Sequence, residues 1–220
     1  MVTAVCVDNG EPSIGKCIDS LRHQTIPVRV VIASGPKTDL ELVKKLGDQV
    51  YPPLLGIGKA RVNAILGERD EYIVSCDSDT RYNGNYCELA VQDLRVLGFV
   101  KAGMILPAEQ PSDVGLALFE QVFSFLGPYE YAIAMRRSAF LGLGVHRMDY
   151  DSCPRSDIGL GILRRTILLP DPRMVCWTRL PTKSAYVTKE YFPAIAAAVA
   201  PFAILGGLIG LNELLNTKNV

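Results

Sequence analysis

Two carboxylates one residue apart, Asp77 and Asp79, stand at the end of an apolar run, Tyr72-Ile73-Val74-Ser75-Cys76. A pair this close repels itself unless a cation or hydrogen-bond donors lie between its members. Carboxylate oxygens are hard ligands that suit magnesium, manganese or calcium better than softer metals. Two ligands leave most of a coordination sphere to water and substrate oxygens, the usual situation of magnesium on phosphates. The same triplet can serve as a polar turn that caps a strand. The pattern is common, and its position after a buried strand in an α/β chain counts against the turn reading.

Other residues carry charge near this triplet in sequence. Lys59 and Arg61 lie in Gly58-Lys59-Ala60-Arg61-Val62-Asn63, ahead of the acidic strand. The planar fork of Arg61 suits a phosphate, although the segment also reads as a solvated helix start. Asp157, in Arg155-Ser156-Asp157-Ile158-Gly159-Leu160, follows a turn-rich loop. It fits a helix N-cap or a general base. The six cysteines form no CxxC pair and there are only two histidines. A zinc site and a disulfide framework are therefore not expected, and cysteines inside apolar runs read as buried thiols.

These residues need elements to hold them. Val2–Val7 reads as a first buried strand, without the basic start and long apolar core of a cleaved signal. Ser13–Gln24 reads as a helix, with Ile14, Cys17, Ile18 and Leu21 at helical spacing. Val28–Ala33 is a second β-branched run, ended by Ser34, Gly35 and Pro36. Helices are expected at Leu40–Leu46 and Lys59–Leu66, then the strand into Asp77. Further on, Tyr86–Leu97 and Val114–Leu126 read as helices, Val100–Leu106 and Ala132–Met135 as strands, and Ile158–Leu163 as a last helix. Such alternation predicts an α/β domain with a mixed, mostly parallel sheet covered by helices on both faces. Ligands then bind beyond the carboxyl ends of the strands, where the Asp8 and Asp77 loops lie.

The 220 residues allow one large domain with an appendage. The expected boundary separates a catalytic domain, 1–182, from a C-terminal hydrophobic segment, 183–220. Tyr191–Leu211 holds no charged side chain across 21 residues, about 30 Å of helix and the thickness of a bilayer core. Pro201 interrupts it, so an in-plane or re-entrant segment and a packed soluble helix pair are alternatives to one spanning helix. Lys183, Lys189 and Arg179 precede it and place the catalytic side on the cytoplasmic face by the positive-inside tendency. The formal charge is zero, which supplies no basic field for nucleic acid.

Together these segments resemble the family-two inverting glycosyltransferases of the GT-A fold, over roughly residues 1 to 180. Val5-Cys6-Val7-Asp8-Asn9 is similar to that family's first strand and the asparagine that ends it. Ser20-Leu21-Arg22-His23-Gln24-Thr25 resembles its "S-L-x-x-Q-T" helix end, and Ala60-Arg61-Val62-Asn63 its "A-R-N" segment. The strand into Asp77-Ser78-Asp79 resembles its DxD strand, and Arg136-Arg137-Ser138-Ala139-Phe140 with Gly144 its acceptor-side segment.

The resemblance implies a nucleotide-sugar donor held by Cys6, Asp8, Asn9, Arg61, Asp77 and Asp79. Cys6 and Asp8 match positions at the base or ribose, and Arg61 one near the nucleotide. Asp77 matches a residue facing the ribose or sugar, and Asp79 the ligand of a manganese or magnesium ion. Asp157 matches the catalytic base that deprotonates an acceptor hydroxyl, on a lipid-linked, glycan or protein acceptor. The chain departs from the pattern in three places. Ser156 stands where a glutamate precedes the base. Ala33-Ser34-Gly35 stands where acidic residues end the second strand. No histidine follows His146, which leaves Trp177 and Arg179 as lid candidates. The rival readings are a sugar nucleotidyltransferase and a degenerate, membrane-bound binding protein. The acidic loop Asp8-Asn9-Gly10-Glu11 is a poor phosphate cradle and argues against the first.

Overall fold

The computed structural model describes residues 1–107, 130–147, 162, 165, 166 and 168–179. All belong to one compact unit, Met1–Leu180. β1 (Val2–Asp8), α1 (Ile14–Arg22), β2 (Val28–Ser34), α2 (Leu40–Leu46), β3 (Gln49–Tyr51), α3 (Ile57–Gly67) and β4 (Tyr72–Asp77) alternate along the first third of the chain. β5 (Arg81–Tyr82), α4 (Tyr86–Leu94), β6 (Phe99–Pro107), β7 (Ile133–Arg136), α5 (Arg137–Gly142) and β8 (Leu169–Thr178) follow.

The described strands form one eight-stranded sheet in the order β3-β2-β1-β4-β7-β6-β8-β5. β3, β2, β1 and β4 run parallel, as do β6 and β8. β7 is antiparallel to both β4 and β6, and β5 to β8, which makes the sheet mixed.

Alternation along the strands decides the layers. Ala4 and Cys6 of β1, Val30 and Ile32 of β2, and Val74 and Cys76 of β4 enter one core with α1 and α4. Val5, Val7, Val31, Ala33 and Ile73 enter a second core with α3 and with Phe140 of α5. Helices therefore cover both faces, as expected. Gln24 locks the end of α1 to the start of α4. Its Nε2 donates to Ser20 O at 2.9 Å and Asn83 O at 2.8 Å, and its Oε1 accepts from Cys87 N at 2.9 Å. α1 ends at Arg22, two residues before the expected Gln24 end.

The sequence reading did not foresee β3, β5, α5 or β8. Pro170 and Pro172 concealed β8, since proline donates nothing to a ladder. The pairing of β8 with β6 is irregular between Ala102 and Met104. There Gly103 lies so close to β8 that a Cβ would sit 2.7 Å from the Asp171 carbonyl oxygen.

Among the described residues, no helix is long and apolar enough to cross a membrane. The expected membrane segment, 183–220, and the expected helices at 114–126 and 158–163 lie outside the described residues, save Ile162.

Candidate active site

The carboxyl ends of β2, β1 and β4 lie side by side. Asp8 faces Ser34 across one ladder, and Val7 faces Asp77 across the other. The loops that leave these ends grip one another. Gly35 N and Thr38 Oγ1 donate to Asp8 O at 2.6 and 2.7 Å, and Ser78 N donates to Val7 O at 3.0 Å. Asn9 Oδ1 accepts from Lys37 N at 3.2 Å. A side chain at position 35 would strike it, since a Cβ there would lie 2.6 Å from Asn9 Oδ1. Gly10 has φ +87°, and a Cβ there would lie 2.7 Å from Lys37 O. The glycine in Ala33-Ser34-Gly35 thus has a packing reason: it admits the loop after β1.

Asp8 is 2% exposed, and its carboxylate turns that loop. Oδ2 accepts from Gly10 N at 3.0 Å and Oδ1 from Glu11 N at 3.1 Å. Cys6 is fully buried with its Sγ 3.7 Å from Cys17 Sγ, and the Cys17 thiol donates to Asp77 O at 3.3 Å. That bond with Cys6, together with burial, pushes the Cys17 thiol well above its ordinary range, so it stays a neutral donor. The five described cysteines are all free and buried.

Asp77 points to the opposite face from Cys76, the face that α3 covers. Arg61 reaches it from there. This arginine is fully buried. Its Nη1 donates to Ser75 Oγ at 2.7 Å and Cys76 O at 3.0 Å, and its Nη2 is ion-paired with Asp77 Oδ1. The sequence reading turned Arg61 toward a phosphate. The structure instead sets it beneath the acidic triplet, holding Asp77 from inside. Ala64 and Ile65, three and four residues on, are apolar, which was the available sign that residue 61 shares the inward face of α3.

Asp79 lies in the turn beyond β4, where Thr80 N donates to Asp77 O at 3.0 Å. Burial, then the charge of Asp77 and to a lesser degree Glu11, push its carboxyl up to about 6. Thr80 Oγ1 lies 3.1 Å from Asp79 Oδ1 and 2.9 Å from Thr178 Oγ1. Beyond Thr178, Arg179 Nη1 lies 3.8 Å from Glu11 Oε2, so the end of β8 meets the loop after β1. Thr80, Thr178 and Glu11 escaped the sequence reading of the site. Their approach depends on β8 lying alongside β5, where Arg81 faces Trp177 and Tyr82 faces Cys176. Asp157 lies outside the described residues.

These groups fit a divalent cation bound with a phosphate ligand. Among the described residues, no cluster of three or more histidine, cysteine, aspartate or glutamate side chains is arranged to hold a metal alone. Asp77 and Asp79 supply two carboxylates close together, with Asp79 largely buried and beside the charge of Asp77. A cation between them, completed by diphosphate oxygens and water, would relieve that repulsion.

No protein-family model and no curated protein matches the chain. Solved structures do. TarS from S. aureus superposes with a TM-score of 0.57 at 17% identity, covering 81% of this chain and 36% of TarS. TarS 1–349 in complex with UDP-GlcNAc gives 0.58 at 17%, covering 90% of this chain and 66% of that one. The mannosyltransferase PcManGT from Pyrobaculum calidifontis, in complex with GDP-Man and Mn2+, gives 0.56 at 18%, covering 83% and 57%. This chain spans less than two thirds of the length of each of these proteins. The likeness is one of fold: the chain has a GT-A-like glycosyltransferase fold, with its acidic triplet at the carboxyl edge of the parallel strands.

Proposed function

We propose that the chain is a metal-dependent, inverting glycosyltransferase of the family-two type. It moves a sugar from a nucleoside-diphosphate donor to a hydroxyl of a lipid-linked, glycan or protein acceptor. The observation that carries this reading is the placement of Asp77 and Asp79, with Arg61 holding the first and Thr80 the second, at the carboxyl ends of β1 and β4. The similar solved structures bind UDP-GlcNAc and GDP-Man, the latter with Mn2+, which supports a sugar nucleotide as the ligand.

In this reading Asp79 and Asp77 hold manganese or magnesium, and Asp8 with Asn9 shapes the floor for the nucleoside. The cation supplies Lewis-acid stabilisation of the negative charge on the departing nucleoside diphosphate. Arg61 keeps the Asp77 carboxylate in place through the reaction without touching donor. Asp157 accepts the proton of the acceptor hydroxyl as that oxygen attacks the anomeric carbon from the side opposite the diphosphate. One displacement inverts the centre through an oxocarbenium-like state. Residues 191–211 tie the enzyme to the cytoplasmic face of a membrane, where a lipid-linked acceptor would be met.

A thermal-shift screen of UDP- and GDP-sugars with and without Mn2+ tests the donor. Binding to the folded state raises the unfolding temperature by mass action, and the rise should require the metal. Product analysis tests the reaction. Nucleoside diphosphate must appear, and pyrophosphate in its place means nucleotidyl transfer. Asp157→Asn should lower turnover sharply while the donor-induced thermal shift persists; near-normal turnover places the base elsewhere. Finding the full-length chain in the soluble fraction, free of membrane, rejects the anchor.

A further inference from the structure

We propose that Thr178 and Thr80 form a hydroxyl relay that positions Asp79 for the divalent cation, so that the end of β8 is part of the metal site. This rests on the glycosyl-transfer reading above. Thr80 is fully buried and Thr178 is 3% exposed. Their oxygens are 2.9 Å apart, and Thr80 Oγ1 is 3.1 Å from Asp79 Oδ1. Either hydroxyl of such a pair can donate, but each has one proton. An ionised carboxylate only accepts. When Asp79 is charged, as a metal ligand must be, Thr80 donates to it, and the Thr80 oxygen then receives the proton of Thr178. Two hydroxyl dipoles in series then point at one carboxylate oxygen and strengthen each other. They fix its direction and leave the other oxygen to the cation.

The backbone holds both ends of the relay. Thr80 sits in the turn closed by its own N–H on Asp77 O. Thr178 pairs with Pro107 at the end of the β6–β8 ladder. The preceding residues, Cys176 and Trp177, pair with both β6 and β5. Both threonines are buried, so both are positioning residues. They make the geometry of Asp79 depend on a strand about a hundred residues away in sequence. Outer-shell partners of metal ligands are worth about 10- to 100-fold in metal affinity.

The test uses the full chain and titrates Mn2+ by calorimetry in the presence of UDP or GDP. Thr178→Val removes the hydroxyl at nearly constant shape, and Thr178→Ser keeps it while losing the methyl. Thr178→Val should weaken Mn2+ binding about tenfold, and Thr80→Val, which cuts the first link, at least as much. Thr178→Ser should keep wild-type affinity. In assays, Thr178→Val should raise the Mn2+ concentration needed for half activity while kcat at saturating Mn2+ changes little. Thr178→Ala, also without the hydroxyl, replaces the valine variant if that one does not fold, with the same loss expected. Wild-type Mn2+ affinity in Thr178→Val overturns the relay, as does an equal loss in Thr178→Ser, which would make the role one of packing. If the wild-type chain itself binds no Mn2+ with either nucleotide, the metal reading falls and the relay with it. Binding by the wild type with no change in the variants rejects the relay alone.

Discussion

The acids at the amino end of the parallel strands and Asp79 at the carboxyl end are held in opposite ways. At the amino end, acids are paired by the chain itself. Asp48 accepts from the Arg22 fork at 2.8 and 3.1 Å and from Val30 N at 2.7 Å. Glu71 is bonded to Arg136 and Ser138, and the buried Glu68 is ion-paired with Arg29. Burial opposes ionisation of Asp48 and Glu71, but these partners outweigh it and hold both below the ordinary carboxylate range. At the carboxyl end, Asp79 has burial and like charges around it, and its carboxyl is pushed up to about 6. The amino-end acids are therefore compensated as folded, whereas Asp79 keeps a raised proton affinity.

The largest expected effect tests whether the carboxyl end works through a cation. Asp79→Ala should cut turnover by about 10^3-fold, in line with the loss of a main electrostatic contribution to the transition state. Metal-dependent turnover retained in this variant would remove the contrast between the two ends. Next comes Asp77→Ala. Arg61 is wholly buried and ion-paired with Asp77, and removing that carboxylate from a buried pair should cost about 3 kcal/mol in denaturant unfolding. An unchanged midpoint would mean that the other groups around Arg61 suffice to hold it.

A smaller effect separates the two ends by sign. The folded-state value of Asp79 is raised, so its contribution to stability is present in acid and lost as pH rises through about 6. Without metal, Asp79→Asn should be more stable than wild type at pH 7.5 by on the order of 1 kcal/mol, with the gain vanishing near pH 4. Asp48 and Glu71 act the other way. Their folded values are depressed, so their contribution is complete above the ordinary carboxylate range and is lost as pH falls below about 4. Asp48→Asn should flatten that acid limb in melting curves. The effect is the smallest of the four, because both Asp48 and Arg22 are more than a third exposed and solvent screens the pair. An acid limb of equal slope in the variant would assign it to other groups.

Residues with strong local signatures were readable from the sequence. β1, β2 and β4 are short apolar runs ended by turn residues, and α1 shows its buried positions at helical spacing. The acidic triplet at a strand end follows from the same reading. β8 was not readable, because two prolines break its pattern and its partners, β6 and β5, are distant in sequence. With β8 went Thr178 and the approach of Arg179 to Glu11. Arg61 was singled out but its burial was not readable, because charge suggests solvent and only packing reveals a buried arginine bonded to Ser75, the Cys76 carbonyl and Asp77.

By itself the sequence determined the α/β alternation, the two-sided burial of the first strands and the position of Asp77 and Asp79 at a strand end. These follow from periodicity and turn chemistry, which act over a few residues. The tertiary structure decided that Asp8 turns its own loop, that Arg61 supports Asp77 from below, and that Thr80 meets Thr178. Asp77-Ser78-Asp79 differs from a polar turn through groups that arrive from α3 and β8, and the register of a folded sheet is what brings them there.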